Sequence, residues 1–199
     1  MSININFVSN KNLTQLQIDQ TELDNYWKRD KSNLEIGELY ERYVGYIYED
    51  AGYKVEYLGI MNKKYDFGRD LICRNKKDTL IIQCKNWSKS KIIKSHWIYQ
   101  LYGTKTQYAI ENPNEKVSAL FYTTTRFSPN AIRAANILGV KLYEKYKMHK
   151  PFPVIKCIFE SKKFFLPSDK NYSQIFLDID KGDRYFTTVK EAVDAGFHR

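Results

Sequence analysis

Apolar residues fall in short blocks along the chain, and their spacing changes from block to block. In residues 34–51, Ile36, Tyr40, Val44, Ile47 and Ala51 recur at helical spacing. They predict an amphipathic helix with one buried stripe, stopped by Gly52. Residues 53–58, YKVEYL, read as a short strand or its approach, and GIMNKKY after them as a polar loop. Residues 71–73 and 80–82 are brief apolar runs on either side of Asn75, Lys76, Lys77 and Asp78. That is the signature of two strands joined by a polar turn. Residues 88–95 read as a basic loop, and residues 96–110 as a helix with Ile98, Leu101 and Tyr102 on one side. Residues 117–123, VSALFYT, predict a buried strand. Ser128 and Pro129 then announce a helix, with Ala131, Ile132, Ala135 and Leu138 on its apolar face and Gly139 at its end. Val140, Leu142 and Tyr143 make a last strand. The order is helix, three strands, helix, strand, helix, strand. The alternation up to residue 143 argues for parallel pairing within an α/β sheet.

The two ends pattern differently. Residues 1–33 read as an N-terminal arm or packing helix, in which Thr21 caps a short helix through Trp27 and Lys28. Residues 149–153, HKPFP, read as a linker stiffened by two prolines. Residues 154–199 then form a small α+β module. It opens with the apolar run VIKCIF and closes with a helix boxed by Thr188 and Glu191 and stopped at Gly196. So few residues bury too little to be very stable alone, so this module is expected to dock on the main domain.

Composition narrows the class. The 199 residues are 43% hydrophobic and 28% charged, a globular balance. No stretch approaches the ~20 apolar residues of a membrane span, and the first residues lack the basic-then-apolar pattern of a secretory signal. Cys73, Cys84 and Cys157 have no paired spacing, which fits a reducing cytoplasm and argues against a zinc site or a disulfide framework. Lys plus Arg total 32 against 23 Asp plus Glu, a net charge of +9, which favours polyanions through counterion release. Sixteen tyrosines offer stacking surfaces for bases, although tyrosines also fill cores.

The candidate chemistry lies in the hairpin. Side chains alternate along a strand, so Gln83 and Lys85 share a face, and Asp70 opens the partner strand. A carboxylate, an amide oxygen and an ammonium can meet there around a divalent cation. Glu41 borders the apolar stripe of its helix. It reads equally as a solvated helix charge or as a carboxylate presented to the hairpin. Lys89, Lys91 and Lys94 are solvated loop charges or phosphate contacts, and Gln100 reads as a surface residue within reach of the site. His96, His149 and His198 lack metal or triad spacing. There is no phosphate-binding GxxxxGK[ST], no GxSxG elbow and no dinucleotide fingerprint.

Four stretches carry a family resemblance: Gly37-Glu38-Leu39-Tyr40-Glu41; Asp66-Phe67-Gly68-Arg69-Asp70-Leu71; Gln83-Cys84-Lys85; and TTTRFSPNAIRAANILGV at residues 123–140. In order and spacing they resemble the Mrr-like restriction endonucleases of the PD-(D/E)xK nuclease superfamily. The resemblance implies an α/β restriction-endonuclease-like core over residues 34–148, a central mixed sheet flanked by helices. It also implies metal-dependent hydrolysis of DNA phosphodiesters, with Mg²⁺ as cofactor or Mn²⁺ in its place. By position, Asp70 looks like the metal-binding Asp, Gln83 takes the Glu position of the motif, Lys85 is its Lys, and Glu41 looks like the helix Glu. Asp66 matches another acidic position. The backbone carbonyl of Cys84 is a further metal ligand, and Arg69, Lys89, Lys91 and Lys94 are the expected DNA contacts. Alanine at Asp70 or at Lys85 is expected to abolish cleavage with the fold intact. Cutting both strands needs two sites, hence an expected homodimer. A Holliday-junction resolvase and a catalytically silent nucleic-acid-binding module are the alternatives. The run YFTTVKEAVDAGFHR resembles the end of the small metal-binding modules related to Ada. Cys157 is the one cysteine after residue 153, so zinc is not expected there.

Overall fold

A computed structural model describes residues 13–61 and 68–199. In chain order these form α1 (Gln15–Lys28), α2 (Asn33–Asp50), β1 (Lys54–Tyr57), α3 (Leu58–Met61), β2 (Leu71–Arg74), β3 (Thr79–Lys85), β4 (Ile92–Ile93), α4 (Ser95–Glu111), β5 (Val117–Thr123), β6 (Arg126–Phe127), α5 (Pro129–Leu138), β7 (Lys141–Tyr143), β8 (Ile155–Ile158), β9 (Lys163–Phe165), β10 (Arg184–Phe186) and α6 (Val189–Asp194). Contacts group them into two units, residues 31–150 and residues 13–30 with 151–199.

In the unit of residues 31–150, five strands pair in the order β1-β2-β3-β5-β7. β1, β2 and β3 are antiparallel neighbours, and β3, β5 and β7 run parallel. The sheet is therefore mixed: a hairpin-built edge joined to a parallel half whose crossovers are α4 and α5. Alternation along the strands sorts the core. Ile72, Ile81, Ala119 and Phe121 pack with Ile98 and Leu101 of α4 and Ala131 and Ala135 of α5. α2 buries Leu39, Tyr40, Tyr43 and Val44. The apolar stripe is thus shifted from the expected one: Tyr40 and Val44 are its centre, whereas Ile36 and Ile47 are only half-buried and Ala51 is exposed.

Local sequence sets the ends. Ser32 caps α2, its hydroxyl accepting from the Glu35 N–H while the Glu35 carboxylate accepts from the Ser32 N–H at 2.9 Å. Ser128 caps α5 with Pro129 at its first turn, and Gly139 (φ 68°) supplies the left-handed residue that ends it. In the β2–β3 turn, the Asn75 side chain accepts from the N–H groups of Lys77 and Asp78. Two readings change. The polar segment after β1 begins with the short helix α3, and the basic loop contains β4, which pairs in parallel with β6 and buries Ile93 completely.

The other unit is a three-stranded antiparallel sheet, β10-β8-β9, with α1 and α6. Residues 13–30, within the segment read as an arm or packing helix, group with residues 151–199. α1 is capped by Thr14 and Gln17 rather than by Thr21, whose hydroxyl instead donates to the Gln17 carbonyl inside the helix. Arg199 donates to Asp19 (2.7 Å), Glu22 (2.5 and 3.0 Å) and Asp169 (2.6 Å), joining α1 to the later segment. The boundary between the two units falls between residues 150 and 151, inside the expected linker, and Phe152 is buried with its ring edge-on to Trp27. The Thr188–Glu191 capping box forms at α6, and Gly196 takes a positive φ.

Candidate metal centre and the adjacent cleft

The site is built where β2 begins and β3 ends. The Asp70 N–H donates to the Ile82 carbonyl at 2.8 Å, so Asp70 joins Leu71 against Ile82 at the last rung of the β2–β3 ladder, one residue before Gln83. Asp70 is 3% exposed, and its Oδ2 accepts from the Cys84 N–H at 2.6 Å. This bond orients the carboxylate within the site. Backbone groups on alternate residues of a strand face the same neighbour, so the Cys84 carbonyl faces the edge that β2 vacates.

Gly59 of α3 brings in the second carboxylate. Its N–H donates to the Asp70 carbonyl at 3.1 Å. A methyl group placed on its Cα would sit 2.5 Å from Glu41 Oε2 and 3.1 Å from Asp70 Oδ1. Glu41 of α2 and Asp70, the residue before β2, thus converge on one small space beside Gly59. Glu41, read either as a solvated helix charge or as a carboxylate presented to the hairpin, lies beside the Asp70 carboxylate. Burial, followed by the negative charges of Asp70 and Glu41, pushes the Cys84 thiol well above its ordinary value.

Gln83 is 1% exposed, and its Oε1 is buried without a hydrogen-bond partner among the described residues. A buried amide oxygen left unpaired costs roughly 1–3 kcal/mol, and a cation ligated there would recover it. Glu41, Asp70, the Gln83 amide and the Cys84 carbonyl would supply an all-oxygen donor set, the chemistry that Mg²⁺ or Mn²⁺ takes. Among the described residues no group of three or more His, Cys, Asp or Glu side chains forms a metal cluster. This set of two carboxylates with neutral oxygens therefore suits a cation that also keeps waters and substrate oxygens. Lys85, half-buried, holds its ammonium 4.7 Å from the centre of the Trp97 ring, at the start of α4. Sequence reasoning did not single out Gly59 or Trp97. The Gly-Ile pair after an apolar run was the one signal for Gly59.

The four expected DNA contacts separate. Lys89 lines a cleft of about 760 Å³ with Thr124, Thr125, Arg126, Lys145, Tyr146, Lys147 and His149. Lys91 lies over the Trp87 ring at 5.2 Å, and Lys94 is exposed at the N-cap position of α4. Arg69 instead lines a smaller pocket against α4, with Gly103, Thr104, Gln107 and Glu111, and its Nε is buried without a partner among the described residues. Gln100, read as a surface residue, is exposed yet abuts the backbone of Gly68 (φ 76°), where a methyl would come within 2.7 Å of its amide. Asp66 lies outside the described residues.

A fold and site of this kind define a nuclease-like α/β domain. Residues 36–150 match Mrr_cat, a restriction endonuclease family, and the chain belongs to that family. No protein of curated function matches the chain. Similar solved structures include EndoMS in complex with double-stranded DNA (14% identity, TM-score 0.34, 42% of this chain and 32% of that one). They also include the MspJI restriction endonuclease with a 27-mer oligonucleotide (14%, 0.40, 63% and 28%) and EndoMS in its apo form (16%, 0.37, 58% and 47%). The chain spans about a third of the length of the first and less than half of the other two.

Proposed function

We propose that the chain is a metal-dependent DNA endonuclease that hydrolyses phosphodiester bonds at the end of the β2–β3 hairpin. One observation carries the reading: the carboxylates of Glu41 and Asp70 converge beside Gly59 at the start of β2, and on β3, which pairs with β2, the Gln83 amide oxygen is buried without a hydrogen-bond partner among the described residues. Bound Mg²⁺ or Mn²⁺ supplies charge neutralisation at the phosphate and an acidified water. Asp70 and Glu41 provide the negative ligands, with Asp70 held in place by the Cys84 N–H. Gln83 adds a neutral oxygen where a glutamate would add a charge, so Glu41 takes on more of the work. Lys85 lies on the same face as Gln83 and stabilises negative charge on the attacking water and the phosphoryl oxygens.

The net charge of +9 supports DNA as the substrate. Restriction, phage defence or DNA repair is the proposed setting, in the cytoplasm, and no helix among the described residues is long and apolar enough to cross a membrane. A homodimer at the target would supply the two sites that a double-strand cut requires. The test is incubation of supercoiled plasmid with Mg²⁺, Mn²⁺ or EDTA, with Lys85→Ala alongside. Nicking or linearisation that needs the metal and is lost in the variant is expected. Cleavage that persists in Lys85→Ala or in EDTA overturns the reading.

A further inference from the structure

The cleft of about 760 Å³ lies beyond the carboxyl ends of the three parallel strands. Lys89 follows β3, Thr124 to Arg126 follow β5, and Lys145, Tyr146, Lys147 and His149 follow β7. Open α/β sheets bind ligands in this crevice. The cleft is tied directly to the candidate centre. The Lys85 carbonyl accepts from the Thr123 hydroxyl (2.9 Å) and the Thr124 N–H (3.2 Å). The hydroxyl of Tyr40, next to Glu41 on α2, donates to the Tyr146 carbonyl at 2.8 Å.

Two features of the lining point to a ligand. Four cations, Lys89, Arg126, Lys145 and Lys147, line it, with no acidic residue among the described lining residues. The nearby Glu144 lies 3.8 Å from Lys145 and also accepts from the Phe127 N–H. The second feature is aromatic. The Tyr146 ring is braced by Tyr122 (5.0 Å), Tyr143 (6.2 Å) and Tyr43 (6.4 Å), and His149 rests against Tyr43 (6.3 Å). Phosphates alone need cations and hydroxyls, not a rigid ring in a space of this size. Nucleobases stack on such rings, and a base can do so only when it has left its duplex stack.

We infer that the cleft binds an unpaired nucleotide segment of the DNA, phosphates on Lys89, Arg126, Lys145 and Lys147 and a base on Tyr146, beside the candidate cleavage site. The inference rests on the nuclease reading for its substrate but is measured apart from cleavage. The preferred substrate is then DNA with a single-stranded portion, such as a flap, tail or branch, rather than a plain duplex.

The test is binding of fluorescein-labelled duplexes in EDTA, at fixed salt, by fluorescence anisotropy. Three probes are compared: a blunt duplex, the same duplex with an oligo-dT tail, and the same duplex with a tail of abasic sites. The dT-tailed duplex is expected to bind about tenfold more tightly than the abasic-tailed one, which carries the same phosphates. Tyr146→Leu is expected to abolish that difference. Should that variant not fold, the exposed double change Arg126→Ala and Lys147→Ala is expected to weaken tail binding and reduce its salt dependence. Equal affinity of wild-type protein for dT and abasic tails overturns the stacking site. Tail preference without metal-dependent cleavage of either plasmid or tailed duplex retains this inference and defeats the nuclease reading. Cleavage without tail preference does the reverse.

Discussion

Asp70 does two jobs, and they respond differently to substitution. Its Oδ1 faces the space shared with Glu41, while its Oδ2 caps the Cys84 N–H inside the protein. Asp70→Ala therefore removes a metal ligand and also orphans a buried donor, at roughly 1–3 kcal/mol. The expectation that alanine here leaves the fold untouched gives way to a lowered melting temperature together with loss of cleavage. Asp70→Asn keeps an acceptor and is expected to melt closer to wild type while remaining inactive. Lys85→Ala lacks such a structural penalty, because its ammonium contacts a ring rather than a buried acceptor; thermal melts of the three variants check the ranking. Gly59→Ala is the sharpest probe of the site. Its methyl group would meet both carboxylates, so it is expected to displace them and lower cleavage at least tenfold, with a smaller effect on the melt.

Among the elements, α2 and β1 are locked by a buried polar cluster. The Arg42 guanidinium pairs with Glu49 at 2.8 Å, and the Tyr57 hydroxyl donates to Glu49 at 3.0 Å and contacts Arg42. The Tyr57 ring lies directly on Gly45, where a side-chain carbon would collide with it. Gly45→Ala is expected to destabilise the unit of residues 31–150 by about 1–3 kcal/mol, as overpacking does. Urea denaturation is the measurement, and an unchanged midpoint would contradict this packing. The same change tilts α2, which carries Glu41, so activity is expected to fall beyond what the lost stability explains.

For the molecule as a whole, Arg199 is the staple of the unit formed by residues 13–30 and 151–199. Its hydrogen bonds hold the Glu22 carboxyl below its ordinary value, with a further contribution from Ser168. A carboxylate depressed on folding adds stability that is complete above its unfolded value and is lost as pH falls through the folded one. The stapled unit should therefore loosen on acidification below the ordinary carboxylate range. Arg199→Ala is expected to flatten that acid dependence. It should also cost roughly 1.5–3 kcal/mol at neutral pH, because Asp19, 2% exposed, loses a charged partner. Differential scanning calorimetry of both proteins at pH 7 and at a pH below the ordinary carboxylate range reads both effects.

Much of the nuclease-like unit was determined by sequence alone, because its signals are short-range. Caps such as Ser128-Pro129, the Asn75 turn and the apolar runs of β3 and β5 act over a few residues, and their order dictates a hairpin followed by parallel strands. The alternation of β3 alone places Gln83 and Lys85 on one face. Other features depend on residues that are distant in the chain. The position of Glu41 was left open by its helix and was decided by Gly59, which gives both carboxylates room beside it. Tyr57 lies on Gly45, a contact between β1 and α2 that helical periodicity does not describe. The cleft draws on the ends of three strands, and Arg199 reaches back to α1 across 180 positions. Such closures are chosen by burial and charge pairing in three dimensions, so no local pattern announces them.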